Sequence, residues 1–183
     1  MGRNQVRIIG GSWRSRLISF PPRIDLRPTP DRARETLFNW LGQDLSGKTC
    51  LDLFAGSGAL GFEAASRGAK RVVMVERDAA TFRALRANAV ALDAGAVELK
   101  RADALEFVHA DDGFYDVVFL DPPFRADYLP QVLCALIPRL AKGAMIHIEA
   151  PRALALPPEW AVWRSDRAGA VTYQLLKWTG HES

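Results

Sequence analysis

The fold is decided by the stretch Asp52-Leu53-Phe54-Ala55-Gly56-Ser57-Gly58-Ala59-Leu60-Gly61. A short apolar run precedes this stretch, and an apolar helical pattern follows it up to a glycine at position 68. The three glycines match the G-x-G-x-x-G pattern, which joins a strand to a helix and binds nucleotide-like ligands in doubly wound folds. The stretch therefore predicts a parallel strand whose carboxyl end holds a nucleotide-like ligand.

Strands alternate with helices on the carboxyl side of this loop. The pattern predicts strands over residues 49–53, 71–76, 97–101, 116–120 and 144–149, and helices over residues 58–67, 78–93 and 128–140, the last shortened by Pro138. Two further strand-like runs, 160–166 and 170–178, are joined by a glycine-containing turn and predict a hairpin. We therefore expect an α/β fold with a seven-stranded, mostly parallel sheet that ends in an antiparallel C-terminal hairpin.

The N-terminal segment carries most of the positive charge. Residues 1–34 contain eight arginines and two aspartates, a net charge of +6, whereas the rest of the chain carries −3. Runs at 7–11 and 13–17 predict a short hairpin, and a helix is predicted to begin at Thr29, with its hydroxyl as the cap. We divide the chain into a basic arm over residues 1–28 and a main domain over residues 29–183. Arginine forks suit phosphate contacts, although such a run is also typical of a solvated surface.

Acidic residues follow the first three predicted strands of the sheet. Asp52, Glu76 and Asp103 all fall at its carboxyl edge, where ligands bind in doubly wound folds. A pyrophosphate would be repelled by Asp52, whereas this carboxylate attracts the ammonium and sulfonium of S-adenosylmethionine. Glu76 is placed to accept from ribose hydroxyls and Asp103 from an adenine amino group, with the backbone N–H of Ala104 beside it. Singly, Glu76 and Asp103 could be surface carboxylates, but together the acids predict S-adenosylmethionine as the cofactor.

The tetrapeptide Asp121-Pro122-Pro123-Phe124 follows the fourth predicted strand of the sheet, and its residue types indicate a catalytic role. The exocyclic amine of a nucleic-acid base is a poor nucleophile, because its lone pair is delocalised into the ring. The Asp121 carboxylate and the Pro122 carbonyl are predicted to accept from its N–H bonds and so activate it. Pro123 stiffens the turn, and Phe124 offers a flat face on which a flipped-out base stacks. A strand-ending proline turn remains the plainer interpretation of Asp-Pro alone.

The chain resembles a known family through its N-terminal motifs as well as these two loops. The motifs are Arg7-Ile8-Ile9-Gly10-Gly11-x-Trp13-Arg14 and Leu26-Arg27-Pro28-Thr29-x-Asp31-Arg32-x-Arg34-Glu35-Thr36-Leu37-Phe38-Asn39-Trp40-Leu41, which are similar to those of the RsmD family. The resemblance implies a Rossmann-like class I methyltransferase that places one methyl on the N2 amine of a guanine in small-subunit (16S) ribosomal RNA. It also implies that the arm helps to engage RNA, and we expect contacts from Arg7, Arg14 and Arg16.

The cofactor site implied by the loops and by this resemblance is broader than the acids alone. Its predicted members are Asp52, Phe54, Ala55, Gly56, Ser57, Gly58, Glu76, Arg77, Asp103, Ala104, Arg27 and Thr29. Other enzyme readings are a DNA adenine-N6 methyltransferase, a protein glutamine methyltransferase and an NAD-dependent dehydrogenase. A noncatalytic RNA-binding module with a decayed cofactor site is the alternative from another class.

The composition indicates in which cellular compartment the protein acts and whether it binds a metal or a membrane. Two cysteines, Cys50 and Cys134, are predicted to be small core residues in a reducing compartment, and no residue set has the spacing of a metal site. No apolar run reaches the ~20 residues that span a bilayer, and the N-terminus lacks the pattern of a secretory signal. We expect a cytoplasmic monomer whose partner is ribosomal RNA or the small ribosomal subunit, with no membrane contact and no metal.

Overall fold

The computed structural model describes residues 4–22, 29–122, 128–151, 156 and 159–180. Nine strands are described: β1 Asn4–Arg7, β2 Leu17–Phe20, β3 Thr49–Asp52, β4 Arg71–Val75, β5 Val97–Lys100, β6 Tyr115–Leu120, β7 Leu140–Ala150, β8 Trp160–Ala168 and β9 Val171–Trp178. The described helices are α1 Asp31–Leu41, α2 Ala59–Ser66, α3 Ala79–Leu92, α4 Ala104–Ala110 and α5 Tyr128–Leu136, followed by a 3-10 turn at Ile137–Arg139.

The main sheet has seven strands in the order β5-β4-β3-β6-β7-β9-β8. Its first five strands are parallel, and β9 is antiparallel to both β7 and β8. From β3 the chain proceeds outward to β5 and then returns to β6 on the other side. The switch point therefore lies between β3 and β6, which carry the glycine loop and the proline tetrapeptide at their carboxyl ends. The predicted doubly wound sheet with its C-terminal hairpin is confirmed.

The N-terminal hairpin packs into the same core as the sheet. Strands β1 and β2 pair antiparallel from Asn4 opposite Phe20 to Arg7 opposite Leu17. The predicted hairpin therefore exists, but its strands overlap the predicted runs only at Arg7 and Leu17. Val6, Ile8 and Phe20 are buried with residues of α1 and α2. The basic segment thus has an apolar face that is fixed against the domain.

A cluster of buried charges centred on Glu63 attaches the hairpin, and we call it the Glu63 cluster. Glu63 lies in α2 with 0% exposure and accepts hydrogen bonds from the backbone N–H groups of Ile9 at 2.9 Å and Gly10 at 2.7 Å. It also accepts from Arg34 Nη1 at 3.2 Å and Arg67 Nε at 2.9 Å. Two guanidinium groups therefore compensate one buried carboxylate, and Arg34, counted above among the eight arginines of residues 1–34, is a fully buried structural residue.

Three local predictions were wrong. Thr29 does not cap α1: Pro30 is the N-cap residue, no side chain caps the helix, and the Thr29 hydroxyl donates elsewhere. The helix α4 was not predicted, because it is only seven residues long and its cap, Asp103, was interpreted as a ligand contact. Cys50 is buried as expected, but Cys134 is exposed on α5. The predicted shortening of α5 is confirmed, because it gives way to the 3-10 turn that contains Pro138.

None of the helices in the described ranges is both long enough and apolar enough to cross a membrane.

Candidate functional site

The glycine loop leaves β3 and turns sharply into α2. Gly56 and Gly58 have positive φ angles of 50° and 82°, a left-handed conformation that favours glycine. A Cβ on Gly58 would also lie 2.6 Å from the Phe62 ring, and one on Gly61 would lie 2.7 Å from the Met74 sulfur. Gly61 therefore allows close packing of α2 on β4. A substitution at Gly58 would disturb this packing as well as any ligand, so it cannot test cofactor contact alone.

Asp52 ends β3 beneath this loop and is buried, with 4% exposure. Its Oδ2 accepts a hydrogen bond from the Gly61 N–H at 2.9 Å, so the carboxylate holds the start of α2. Burial raises the pKa of Asp52 to about 7; the Gly61 hydrogen bond opposes the rise, and the charge of Glu76 adds to it. A carboxyl group in this state gains from a nearby cation, which would favour its charged form.

Glu76 and Asp103 lie at the ends of the next two strands along the sheet. Glu76 accepts from the backbone N–H of Gly56 at 3.1 Å and of Asp78 at 2.7 Å, which places it directly beside the glycine loop. Asp103 caps α4 by accepting from the Leu105 N–H at 3.0 Å. The three predicted acids thus share the carboxyl edge of the sheet, as their positions after the strands indicated.

The remaining predicted cofactor residues surround these acids. Ala104 is the first residue of α4, where a backbone N–H has no partner within the helix. Phe54 makes an edge contact with Tyr128, with 5.8 Å between ring centroids, and Arg77 is exposed next to Glu76. Ala55 and Ser57 are buried in the loop. Arg27 lies outside the described residues.

Asp121 follows β6, the strand adjacent to β3. Burial raises the pKa of Asp121 well above its usual range, and the charges of Glu149 and then Asp52 raise it further. Asp121 and Asp52 therefore belong to one electrostatic group on both sides of the switch point. Pro122 is described and buried, whereas Pro123 and Phe124 lie outside the described residues.

Glu149 is a member of the site that the sequence reasoning did not identify. It is 6% exposed near the end of β7, and its Oε1 accepts from the Thr29 hydroxyl at 2.6 Å. His147 Nε2 lies 3.3 Å from the same oxygen, and the His147 ring stacks on Tyr173 with 6.1 Å between centroids. The Thr29 contact fastens the residues before α1 to the edge that carries Asp121. An acid at the end of an apolar strand was the available signal, because the same pattern identified Asp52.

Acidic groups lie close together at the switch point. Among the residues that the structure describes, no lysine or arginine forms an ion pair with Asp52 or Asp121, and their charges raise each other's pKa or that of their neighbours. The Glu63 cluster shows the opposite arrangement, with Arg34 and Arg67 on one carboxylate. A site of this kind suits a cationic ligand and disfavours an anionic one.

The predicted RNA-binding arginines occupy different places. Arg7 Nη2 lies 3.3 Å from Asp31 Oδ2, near the start of α1. Arg16 Nη2 donates to the Ala91 carbonyl at 2.6 Å, near the end of α3. Arg14 is exposed and lines an open polar cavity of about 500 Å³, together with Ile9, Gly10, Gly11, Glu35, Asn39, Gln43 and Arg67.

Comparison with known proteins identifies the family. The family model described as "Conserved hypothetical protein 95" matches residues 6–177. The chain is 41% identical over 181 residues to "Ribosomal RNA small subunit methyltransferase D" of Escherichia coli, covering 96% of this chain and 91% of that protein. The chain belongs to the RsmD family. The protein of the same name from Haemophilus influenzae is 38% identical over 183 residues, covering 96% and 95% of the two chains.

Solved structures agree with the RsmD assignment. The Escherichia coli protein yhhF superposes with a TM-score of 0.86 at 42% identity, covering 96% of this chain and 98% of that one. A protein from Haemophilus influenzae gives a TM-score of 0.80 at 36% identity, with 95% and 98% covered. The predicted family and the Rossmann-like methyltransferase fold are therefore confirmed. The roles of individual residues stay predictions.

Proposed function

We propose that this protein transfers a methyl group from S-adenosylmethionine to the exocyclic N2 amine of a guanine in small-subunit ribosomal RNA. Relatives in the RsmD family are named as methyltransferases of the small-subunit ribosomal RNA. The observation that carries the cofactor assignment is the pair of carboxyl groups on both sides of the switch point, the buried Asp52 and the partly buried Asp121, which have no basic ion-pair partner among the described residues. A dinucleotide would bring an anionic pyrophosphate to the same place, where those carboxylates would repel it.

The residues at the carboxyl edge fit S-adenosylmethionine by their chemistry. Asp52 offers negative charge to the cationic methionine end, and the loop backbone between Gly56 and Gly58 approaches without side chains. Glu76 has carboxylate oxygens beside the loop to accept from ribose hydroxyls, and α4 offers the free N–H of Ala104 to an adenine nitrogen. When bound, the cofactor supplies an electrophilic methyl group.

Asp121 is the proposed acceptor for the base amine. Its carboxylate and the Pro122 carbonyl accept from the two N–H bonds, which localises the lone pair on the amine nitrogen. The pKa of Asp121 is raised, so this carboxylate is also a competent acceptor for the proton that the amine loses as it is methylated. Phe124 stacks on the extruded base and holds its amine in line with the methyl group.

The decisive experiment identifies the product. The protein is incubated with small-subunit ribosomal RNA or intact small subunits and cofactor labelled on its methyl group, and the digested RNA is analysed for labelled nucleosides. N2-methylguanosine supports the proposal, with Asp121→Ala as the control that should lose the label. N6-methyladenosine would contradict it in favour of an adenine methyltransferase. RNA binding with neither cofactor binding nor labelled product would instead support a noncatalytic RNA-binding module with a decayed cofactor site.

The proposal also covers the cellular location, the oligomeric state and the partner of the protein. We propose that the protein acts as a cytoplasmic monomer on ribosomal RNA or the small subunit, without a metal ion. In the described part of the chain, no group of three or more histidine, cysteine or acidic side chains is arranged to hold one.

A further inference from the structure

The outermost strand of the sheet, β8, ends at the same edge as the candidate site. Strands β7 and β8 are both antiparallel to β9, so β8 runs parallel to β7. Asp166 lies opposite Tyr173, which lies opposite Glu149 in β7. Three strand spacings separate β8 from β6, so Arg167 lies roughly 14 Å across the sheet from the Asp121 end of β6.

The outer side of β8 is open to solvent and carries an exposed tryptophan. Every residue from Ala161 to Ala168 is exposed, and Trp163 and Val162 are each 49% exposed. The pairing with β9 shifts between Val162 and Arg164, which leaves Trp163 unpaired in a bulge. Bulges at sheet edges commonly turn a side chain in a new direction, and here the side chain is a large aromatic one.

Two arginines flank this tryptophan with their charges unneutralised. The Arg164 guanidinium lies 4.7 Å from the centre of the Trp163 ring, and its Nη1 donates to the Trp163 carbonyl at 2.9 Å. Arg167 Nε donates to the Gly169 carbonyl at 3.0 Å. Within the described ranges neither arginine forms an ion pair with a carboxylate, so both retain their full positive charge for an anionic partner. The pairing from Arg164 to Arg167 is regular, so these two side chains project from opposite faces of β8 and line its free edge from both sides. We call Trp163, Arg164 and Arg167 the β8 surface.

Two of the predicted RNA-binding arginines, Arg14 and Arg16, lie far from the candidate site. The loop that carries Arg14 and Arg16 contacts Ser66 and Ala91, at the carboxyl ends of α2 and α3. Both helices run away from the site, and the 14 residues of α3 span about 21 Å. Arg14 and Arg16 therefore lie at the opposite edge of the sheet from Asp121. RNA phosphates next to the reacting base would need cations at the edge of the sheet that carries Asp121.

We propose that the β8 surface binds the RNA substrate next to the reacting guanine, with Arg164 and Arg167 on phosphates and Trp163 under an unpaired base. This inference rests on the proposed function. Alternating cations and exposed aromatic rings are typical of surfaces that bind single-stranded RNA, because phosphates meet the charges and bases stack on the rings. Protection of an edge strand from aggregation would explain the charges and the bulge, but it gives no reason for an exposed tryptophan.

The test compares two charge variants with equal loss of charge. Arg164→Gln/Arg167→Gln alters the β8 surface, and Lys70→Gln/Lys142→Gln removes two exposed cations at the opposite edge of the sheet. Affinity is measured at several salt concentrations for two probes, protein-free small-subunit ribosomal RNA and intact small subunits that lack the methyl group. We expect the β8 variant to bind both probes about tenfold or more weakly, with a salt slope flatter by roughly 1.4 for two phosphate contacts. Calorimetry with S-adenosylmethionine should show unchanged cofactor affinity.

A second pair of variants tests the tryptophan. Trp163→Ala should weaken RNA binding by about fivefold to a hundredfold, the loss of one stacked base, while Phe114→Ala, an exposed aromatic at the opposite edge, should have no effect. In methylation assays the Trp163 change should appear in KM and leave kcat within about twofold, because it removes uniform binding.

Each outcome decides the inference. Equal affinities and slopes in the β8 and lysine variants would overturn it. A loss confined to intact subunits would also overturn it, because the partner would then be a ribosomal protein. Failure of the wild-type protein to methylate either probe would contradict the proposed function itself, whereas normal wild-type methylation with unaffected β8 variants would reject this surface alone.

Discussion

Glu63→Gln should separate the N-terminal hairpin from the domain at a large cost in stability. Each oxygen of Glu63 accepts two hydrogen bonds, so all four neighbouring groups, including Arg34 and Arg67, are donors. A glutamine keeps the shape of the side chain but turns one oxygen into an N–H donor that faces two other donors. It also removes the charge that compensates two guanidiniums, and among the described residues Asp31, at 2.5 Å, is then the one carboxylate that still pairs with Arg34.

The size of the expected loss of stability follows from the burial of the Glu63 and Arg34 side chains. Glu63 and Arg34 each have 0% exposed side chains, so solvent cannot replace the lost partner. Removing one partner of a buried ion pair costs about 3–5 kcal/mol. The replaced oxygen leaves one backbone donor and one guanidinium donor unsatisfied. An unsatisfied buried donor costs ~1–3 kcal/mol, but this loss overlaps with the first because the same carboxylate is involved. We therefore expect the free energy of unfolding to fall by about 3–5 kcal/mol.

Urea denaturation followed by circular dichroism measures this loss. With a slope of about 2 kcal/mol per molar urea, the midpoint should fall by about 1.5–2.5 M. Glu35→Gln is the matched control, since Glu35 is exposed on α1 beside the hairpin and its change should stay within about 0.5 kcal/mol. If Glu63→Gln shifted the midpoint no further than Glu35→Gln, the Glu63 cluster would not be what holds the hairpin.

Three further predictions concern the site. Asp52→Asn keeps an acceptor for the Gly61 N–H but removes the charge, so S-adenosylmethionine affinity measured by calorimetry should fall about tenfold or more. The wild-type affinity should rise from about pH 6 to about pH 8 as Asp52 ionises, and this rise should be absent in the variant. A folded pKa of about 7, above the usual 3.8, also means that the wild type loses stability as pH rises from about 4 to about 7, and a variant with the same pH slope over that range would refute the assignment. Asp121→Ala should lower methyl transfer by on the order of a hundredfold while cofactor affinity stays within a few-fold, and near-normal turnover would remove Asp121 from the mechanism. Thr29→Val leaves Glu149 without its 2.6 Å donor and should cost about 1–3 kcal/mol of unfolding free energy, whereas Thr29→Ser, which keeps the hydroxyl, should cost less than half of that.

The parallel sheet could be predicted because its signals are local in the sequence. Apolar runs, the glycines at 56, 58 and 61, and the acids that end the strands each fall within a few residues of the element they define. The hairpin bounds could not be predicted in this way. Residues between Arg7 and Leu17 have strand-like composition, yet their backbone groups bond to Glu63 and Ser66, more than 50 positions away.

Contacts between residues far apart in the sequence also explain which features of the site the sequence analysis did not predict. Asp103 carries both a helix-cap signal and a ligand signal, and only the position of Leu105 shows that it caps α4. Arg34 looked like one more cation of a basic segment, because its partner Glu63 is 29 residues away. Glu149 had the same signal as Asp52, an acid at the end of an apolar strand, but its link to Thr29 spans 120 residues.

The two groups of buried charge in this chain have opposite thermodynamic characters. The Glu63 cluster pairs its carboxylate with two guanidiniums, so it is compensated within the protein and supports the fold without a ligand. The buried Asp52 and the partly buried Asp121 raise the cost of folding, because both lose hydration and both lie close enough to Glu149 to feel its charge. A bound ligand of opposite charge can compensate such carboxyl groups. Because the ligand binds only the folded state, its binding free energy increases the stability of the fold. Within the described residues, the carboxyls that lack a basic ion-pair partner lie between β3 and β6, where a cationic ligand would offset the cost that they add to folding.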